Sequence, residues 1–157
     1  MGQRPRVEGV KSDHSEQRIL ERSCQVAPQG IPDYEGPFAA LLGIRALECK
    51  DGMGRSTMPV KEDLLQRGGV VQGGLIVALA DHSMYLAVRS VMSEGETTVT
   101  IELKVNFIAG ARDGELFAES HIISQGNRII VGEMRVEDDR GTLIARGMGT
   151  FMVRRAS

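Results

Sequence analysis

The sequence predicts an α+β domain in which a curved antiparallel sheet wraps one long central helix. Three observations point there. The stretch VVQGGLIVALADHSMYLAV (70–88) is apolar around nearly its whole helical circumference, so it must be covered on most of its sides. After Gly95 come four strand-like runs joined by short turns, which makes them antiparallel neighbours. Two further strand-like runs precede the helix. Strands that twist also curl, and a curled sheet can enclose a single helix.

Each element has its own signal. Residues 1–11 are poor in apolar residues and contain Pro5, which suits a leader without a core to pack. Ser12 opens an S-x-x-S-E pattern, so a short helix is expected over about 12–23. Residues 28–37 hold three prolines and two glycines and form a connector. The expected division is an N-terminal extension over 1–33 and a folded domain over 34–157. Phe38–Leu42 reads as a short helix ending at Gly43. Ile44–Cys49 and Arg55–Val60 read as strands about the turn KDGMG. Glu62–Gln66 is a polar turn or short helix. The long helix follows, from about Gly74 to Met92. In TTVTIELKVNFI, Val99, Ile101, Leu103, Val105 and Phe107 alternate with polar residues, the period of a half-buried strand. AGARDGE is a turn. Leu116–Ser124 and Ile129–Glu137 flank the hairpin signal QGNR, and DDRG leads to a last strand over Thr142–Val153. No internal repeat is visible.

Composition excludes several function classes. At 157 residues the chain suits one domain with a sizeable core. It is 41% hydrophobic and 25% charged, with a net charge of −2. That gives no electrostatic basis for binding nucleic acid or a membrane surface. The longest apolar run, Leu75–Ala80, is far too short to span a bilayer. The N-terminus has no apolar signal region. Cys24 and Cys49 are the two cysteines, and without a secretory signal they suggest a reduced, cytoplasmic protein. His14, His82 and His121 are scattered, and no metal-ligand spacing, nucleophile elbow or P-loop is present. No metal or other cofactor is therefore expected.

Five segments occur in order: PFAALLGI (37–44), VVQGGLIVALAD (70–81), TIELKVNF (100–107), SQGNR (124–128) and ARGMGTF (145–151). Together they resemble the hotdog-fold acyl-CoA thioesterases, specifically the phenylacetate-degradation type. The resemblance covers roughly residues 37–153 and implies the hotdog fold. It also implies roles for three residues. Gly73 matches the glycine whose backbone N–H polarises the thioester carbonyl. Asp81 matches the acidic nucleophile or general base. Thr100 matches a hydroxyl residue that helps to position water. Two positions depart from the family: its usual His is Gln72 here, and an Asn six residues earlier is Gln66. Both are candidates for orienting the substrate.

The chemistry agrees with these roles. A thioester is electrophilic and its thiolate leaves readily, so hydrolysis needs oxyanion stabilisation and a base or nucleophile. A helix N-terminus offers free N–H groups and the positive end of a dipole, and Gly73 and Gly74 let a ligand approach that backbone. Gly73 and Asp81 lie eight residues apart, about 12 Å along a helix. One carbonyl carbon cannot touch both within one chain, so a site using both needs two subunits. The expected assembly is a dimer or a dimer of dimers, as the resemblance also implies. Arg128, beside Asn127 in the SQGNR turn, is a candidate for holding a coenzyme A phosphate; a solvated turn arginine is the alternative.

Other readings stay open. Gly73 and Gly74 alone would suit a tight helix entry, and Asp81 could be satisfied by Ser83 or Tyr85. His82 follows Asp81 directly, about 100° around the helix, and reads as a structural histidine. Met53, Met58, Met84 and Met92 read as packing. The expected activity is hydrolysis of an acyl-CoA to a free acid and coenzyme A. The alternatives are a non-catalytic acyl-CoA-binding protein and a dehydratase or hydratase, the latter normally wanting a catalytic His that position 72 lacks.

Overall fold

The computed structural model describes residues 36–154. The expected leader, the helix over 12–23, the 33/34 boundary and nearly all of the connector lie outside them. The chain forms α1 (Pro37–Leu42), β1 (Arg45–Lys50), β2 (Met53–Pro59), a 3-10 turn (Glu62–Leu64), α2 (Gly73–Arg89), β3 (Thr97–Phe107), β4 (Glu115–Gln125), β5 (Ile129–Asp138) and β6 (Leu143–Arg154). Six strands make one antiparallel sheet in the order β1-β2-β4-β5-β6-β3, curved about α2. This is the hotdog fold.

Local chemistry sets the boundaries. α1 stops at Gly43, whose φ of 74° is one a β-carbon disfavours. The β1–β2 turn is tighter than KDGMG. Asp51 and Gly52 both have positive φ and close a two-residue hairpin, so Met53 and Gly54 join β2. The helix ends three residues before Met92. Ser90 accepts from Gly52 N–H at 2.8 Å and donates to Ala87 O at 2.7 Å.

The core lies between α2 and the concave face of the sheet. Ile76, Leu79, Met84 and Val88 of the helix are buried with Ile44, Met58, Leu116, Ile144 and Phe151. Met92 packs against that cluster too. Gly54 permits the close contact, because a β-carbon there would collide with the backbone of Ser83 and Ala87.

Sequence order and spatial order part company at β3. β1–β2, β4–β5 and β5–β6 are neighbours, as short turns imply, but β3 pairs with β6 and not with β4. The helix carries the chain to the far edge, and residues 108–114 bring it back across three strand positions. That is about 14 Å at the usual strand spacing, within the ~23 Å that seven extended residues reach.

The clean alternation of β3 is also broken. Its register against β6 shifts between Thr100 and Glu102, a bulge that swaps the faces. Thr98 and Thr100 therefore turn to the helix side with Leu103, whereas Val99 and Ile101 are exposed.

Candidate active site

The entrance to α2 is built by a small hairpin. Leu65 and Val71 bridge, Gln66 N–H donates to Val70 O at 2.8 Å, and Gln72 N–H donates to Leu64 O at 3.0 Å. The returning 108–114 loop braces it: Val71 N–H donates to Ala111 O at 2.8 Å, and Arg112 donates to the Gly68 and Gly69 carbonyls. Gln66 spends its side-chain oxygen on Gly68 N–H at 2.8 Å. Gln72 is exposed and caps the helix without a side-chain hydrogen bond, which leaves the first-turn N–H groups without that partner. The Phe107 ring stands over Gly73, while the space beside Gly74 is open.

Below this entrance the helix is not covered all round. Gly74, Val77, Ala78, Asp81 and Tyr85 recur at helical spacing and line a cavity of about 420 Å³. Opposite them stand Phe38 and Ala39 of α1, Ile44, Thr98, Thr100 and Leu103 of β3, and Phe151 of β6; His82 joins the wall. The cavity runs along the helix and does not gather Gly74 and Asp81 about one point.

Asp81 is the carboxylate of this wall. Thr100 Oγ1 donates to its Oδ1 at 3.0 Å. Burial pushes the carboxyl above its usual range, and the Thr100 hydrogen bond and the charge of His82 oppose that shift. The result is a carboxylate more basic than an ordinary Asp. Ser83 is not its partner, since Ser83 Oγ lies 2.6 Å from Ser120 Oγ and 2.8 Å from Ala80 O, to which it donates. His82 Nδ1 lies 2.7 Å from the buried Ser56 Oγ on β2.

The structure thus brings together Asp81 and Thr100, with Gly74 on the same cavity wall but farther up the helix. It places Gln72 and Gly73 at the helix entrance and Gln66 within its own turn. Asn127 and Arg128 are elsewhere in the single chain, lining a separate cavity of about 560 Å³ with Val153 and Arg154. That cavity is larger, but it holds no candidate base. The sequence reading missed Phe38, Tyr85, Thr98 and Phe151 as cavity residues. Tyr85 had a signal, because it follows Asp81 by four positions on the same face.

Known proteins resemble this chain in sequence and fold. The family model described as the thioesterase superfamily matches residues 68–145. A candidate esterase of Saccharolobus solfataricus is 31% identical over 114 residues, spanning 73% of this chain and 75% of that protein. The 1,4-dihydroxy-2-naphthoyl-CoA hydrolase of Escherichia coli is 30% identical over 110 residues, spanning 69% of this chain and 80% of that one. Among solved structures, a conserved protein of Pseudomonas aeruginosa superposes with a TM-score of 0.75 at 30% identity, covering 79% of this chain and 99% of the other.

Proposed function

The chain belongs to the thioesterase superfamily, and from that membership we infer that it hydrolyses an acyl-CoA thioester at a site shared by two subunits. The observation that carries the reading is the Asp81 carboxylate, bonded to Thr100 and raised in basicity, on the wall of a largely apolar cavity. The acyl group lies in that cavity. Its lining by Phe38, Tyr85, Phe151 and aliphatic side chains suits an apolar or aromatic acyl group. The Escherichia coli relative is named for an aromatic acyl-CoA, which supports testing that class first.

In the reaction, Asp81 either takes a proton from water as the water oxygen attacks the carbonyl carbon, or attacks that carbon itself, with water then hydrolysing the anhydride. The carbonyl π pair moves to oxygen. Gly73 N–H at the helix entrance of the facing subunit stabilises that oxyanion. Collapse breaks the C–S bond, and coenzyme A leaves as a thiolate that takes up a proton. Thr100 holds the carboxylate, or the water beside it. Gln72 presents its amide N–H to the thioester carbonyl, and Gln66 shapes the turn beneath. Arg128, with Asn127, binds coenzyme A phosphate. The protein works as a dimer or a dimer of dimers, in the cytoplasm, without a metal or redox cofactor. Among the described residues no helix is long and apolar enough to cross a membrane.

Thiol release measured across short, long and aromatic acyl-CoAs tests the activity, and sedimentation of the active species tests the sharing. Turnover by an assembly of two or more copies is expected. A fully active monomer would overturn the shared site. Binding of acyl-CoAs without turnover of any of them would leave a binding module in place of an enzyme.

A further inference from the structure

Beside Asp81 the cavity wall holds a second ionisable side chain, His82. Its ring is pinned from the sheet side: Nδ1 lies 2.7 Å from Ser56 Oγ, and Ser56 is fully buried on β2. A hydroxyl can donate to Nδ1 of a neutral ring or accept from Nδ1–H of a charged one. Ser56 therefore serves the ring in either state and fixes its orientation, as a partner on one ring nitrogen does for a histidine. The result is a titratable ring held on the same wall as the carboxylate, although consecutive helix residues diverge by about 100°.

We propose that His82 is a positioning residue for Asp81: Ser56 anchors its ring at the cavity wall, where the protonated ring favours the ionised form of the neighbouring carboxylate. The inference rests on the reading of Asp81 as the reacting base or nucleophile. Burial drives Asp81 toward its neutral form, which can neither accept a proton nor attack. The charge of His82 acts against burial, in the same direction as the Thr100 hydrogen bond. Other titratable groups on this side are few. Tyr85 lies on α2, and Cys49 of β1 donates its thiol to Leu86 O at 3.3 Å. Arg55, next to Ser56, points to the opposite face, where it meets Glu48 and Glu119. β3 contributes only Thr98, Thr100 and Leu103 to the wall, and β4 contributes Ser120 against Ser83. Among the described residues of this wall, His82 is thus the side chain that can carry a positive charge.

The test reads the carboxylate directly. The Asp81 carboxyl carbon is titrated by 13C NMR in the parent, in His82→Asn and in Ser56→Ala, and kcat/KM is followed against pH in all three. His82→Asn should move the Asp81 midpoint to higher pH, and Ser56→Ala should move it the same way by less. The acid side of the kcat/KM profile should follow. Below that midpoint His82→Asn should lose about fivefold more kcat/KM than it loses above it. A folded His82→Asn variant with an unmoved Asp81 midpoint overturns the proposal. If that variant does not fold, an unmoved midpoint in Ser56→Ala, which loses only one hydroxyl, overturns it instead. A midpoint that moves without any change in the kcat/KM profile supports the coupling and sinks the reading of Asp81 as the reacting group.

Discussion

Two half-buried carboxylates, Asp81 on the concave side of the sheet and Glu119 on the convex side, are pushed in opposite directions. Burial dominates at Asp81 and raises it; one hydroxyl and one histidine resist. At Glu119 a hydrogen bond from His121 dominates and lowers it, helped by Arg55 and Arg135. The difference lies in the neighbours. Glu119 sits in a cross-strand row, Glu48–Arg55–Glu119–Arg135–Arg146. Arg55 reaches it at 3.5 Å and His121 at 2.9 Å. Opposite charges on adjacent strands stabilise the sheet locally. Asp81 faces a cavity with no arginine or lysine among the described residues of its wall. A carboxylate matched to its surroundings supports the fold; one held against its preference suits a reacting group, the role we propose for Asp81.

The sharpest way to break this contrast is Asp81→Asn. It should cost at least about 100-fold in kcat, while thermal unfolding shows a fold as stable as the parent's or more so. A near-parental rate on the best acyl-CoA would make Asp81 structural. Thr100→Val removes the hydrogen bond that opposes burial at Asp81. It should slow turnover by roughly tenfold or less and move the acid side of the kcat/KM profile to higher pH. A profile of unchanged shape would separate Thr100 from the carboxylate's ionisation. Glu119→Gln is the reverse experiment. It should cost about 1.5 kcal/mol of stability, the low end of the ~1.5–3 kcal/mol for a hydrogen bond to a charged group, because His121 is half-exposed, with kcat unchanged. Chemical denaturation and steady-state kinetics on one preparation read both quantities, and a large kcat loss would erase the distinction between the two faces.

The smallest expected effect is in the pH dependence of stability. Glu119 lies below its ordinary 4.5 in the folded state, so its contribution is complete above that value and is lost as pH falls through the folded one. His121 lies above its ordinary 6.5, chiefly through the Glu119 hydrogen bond. Its contribution is complete below 6.5 and is lost as pH rises through the folded value. Together they are fully present between about pH 4.5 and 6.5. Asp81 runs the other way from Glu119: its raised carboxyl removes stability as pH rises past its ordinary 3.8 toward the folded value. His121→Gln should flatten the alkaline side of the stability profile, by little, because His121 is 45% exposed. Melting temperatures unchanged in slope above pH 6.5 would show the pair to be inert.

Much of this molecule is legible in the chain because it depends on local chemistry. The long apolar stretch and the Gly pair place α2, and the turns at QGNR and DDRG close the hairpins they announce. In the second of these, Asp138 Oδ1 accepts from the N–H groups of Arg140 and Thr142, a side chain mimicking a turn. Asp81 and Thr100 were found by resemblance, and geometry then set them 3.0 Å apart. The rest depends on register between strands distant in sequence. The β3 bulge belongs to the pairing with β6, so no alternation count within β3 could place it. The charged row joins residues of five strands. The Ser56–His82 contact spans 26 positions and needs β2 to lie directly under the helix, which Gly54 allows.

The pairing of β3 with β6 has a consequence for the order of synthesis. Thr100 stands opposite Phe151, and β6 is the strand that holds β3 to the sheet. A ribosome that has released residues up to 142 has already emitted Asp81, Thr100 and every other wall residue except Phe151. At that point β3 has its contacts with the helix but no neighbouring strand. The contacts that seat it are long-range, and such contacts close late and slowly. The strand that seats Thr100 is therefore the last to emerge, and the cavity wall is completed last.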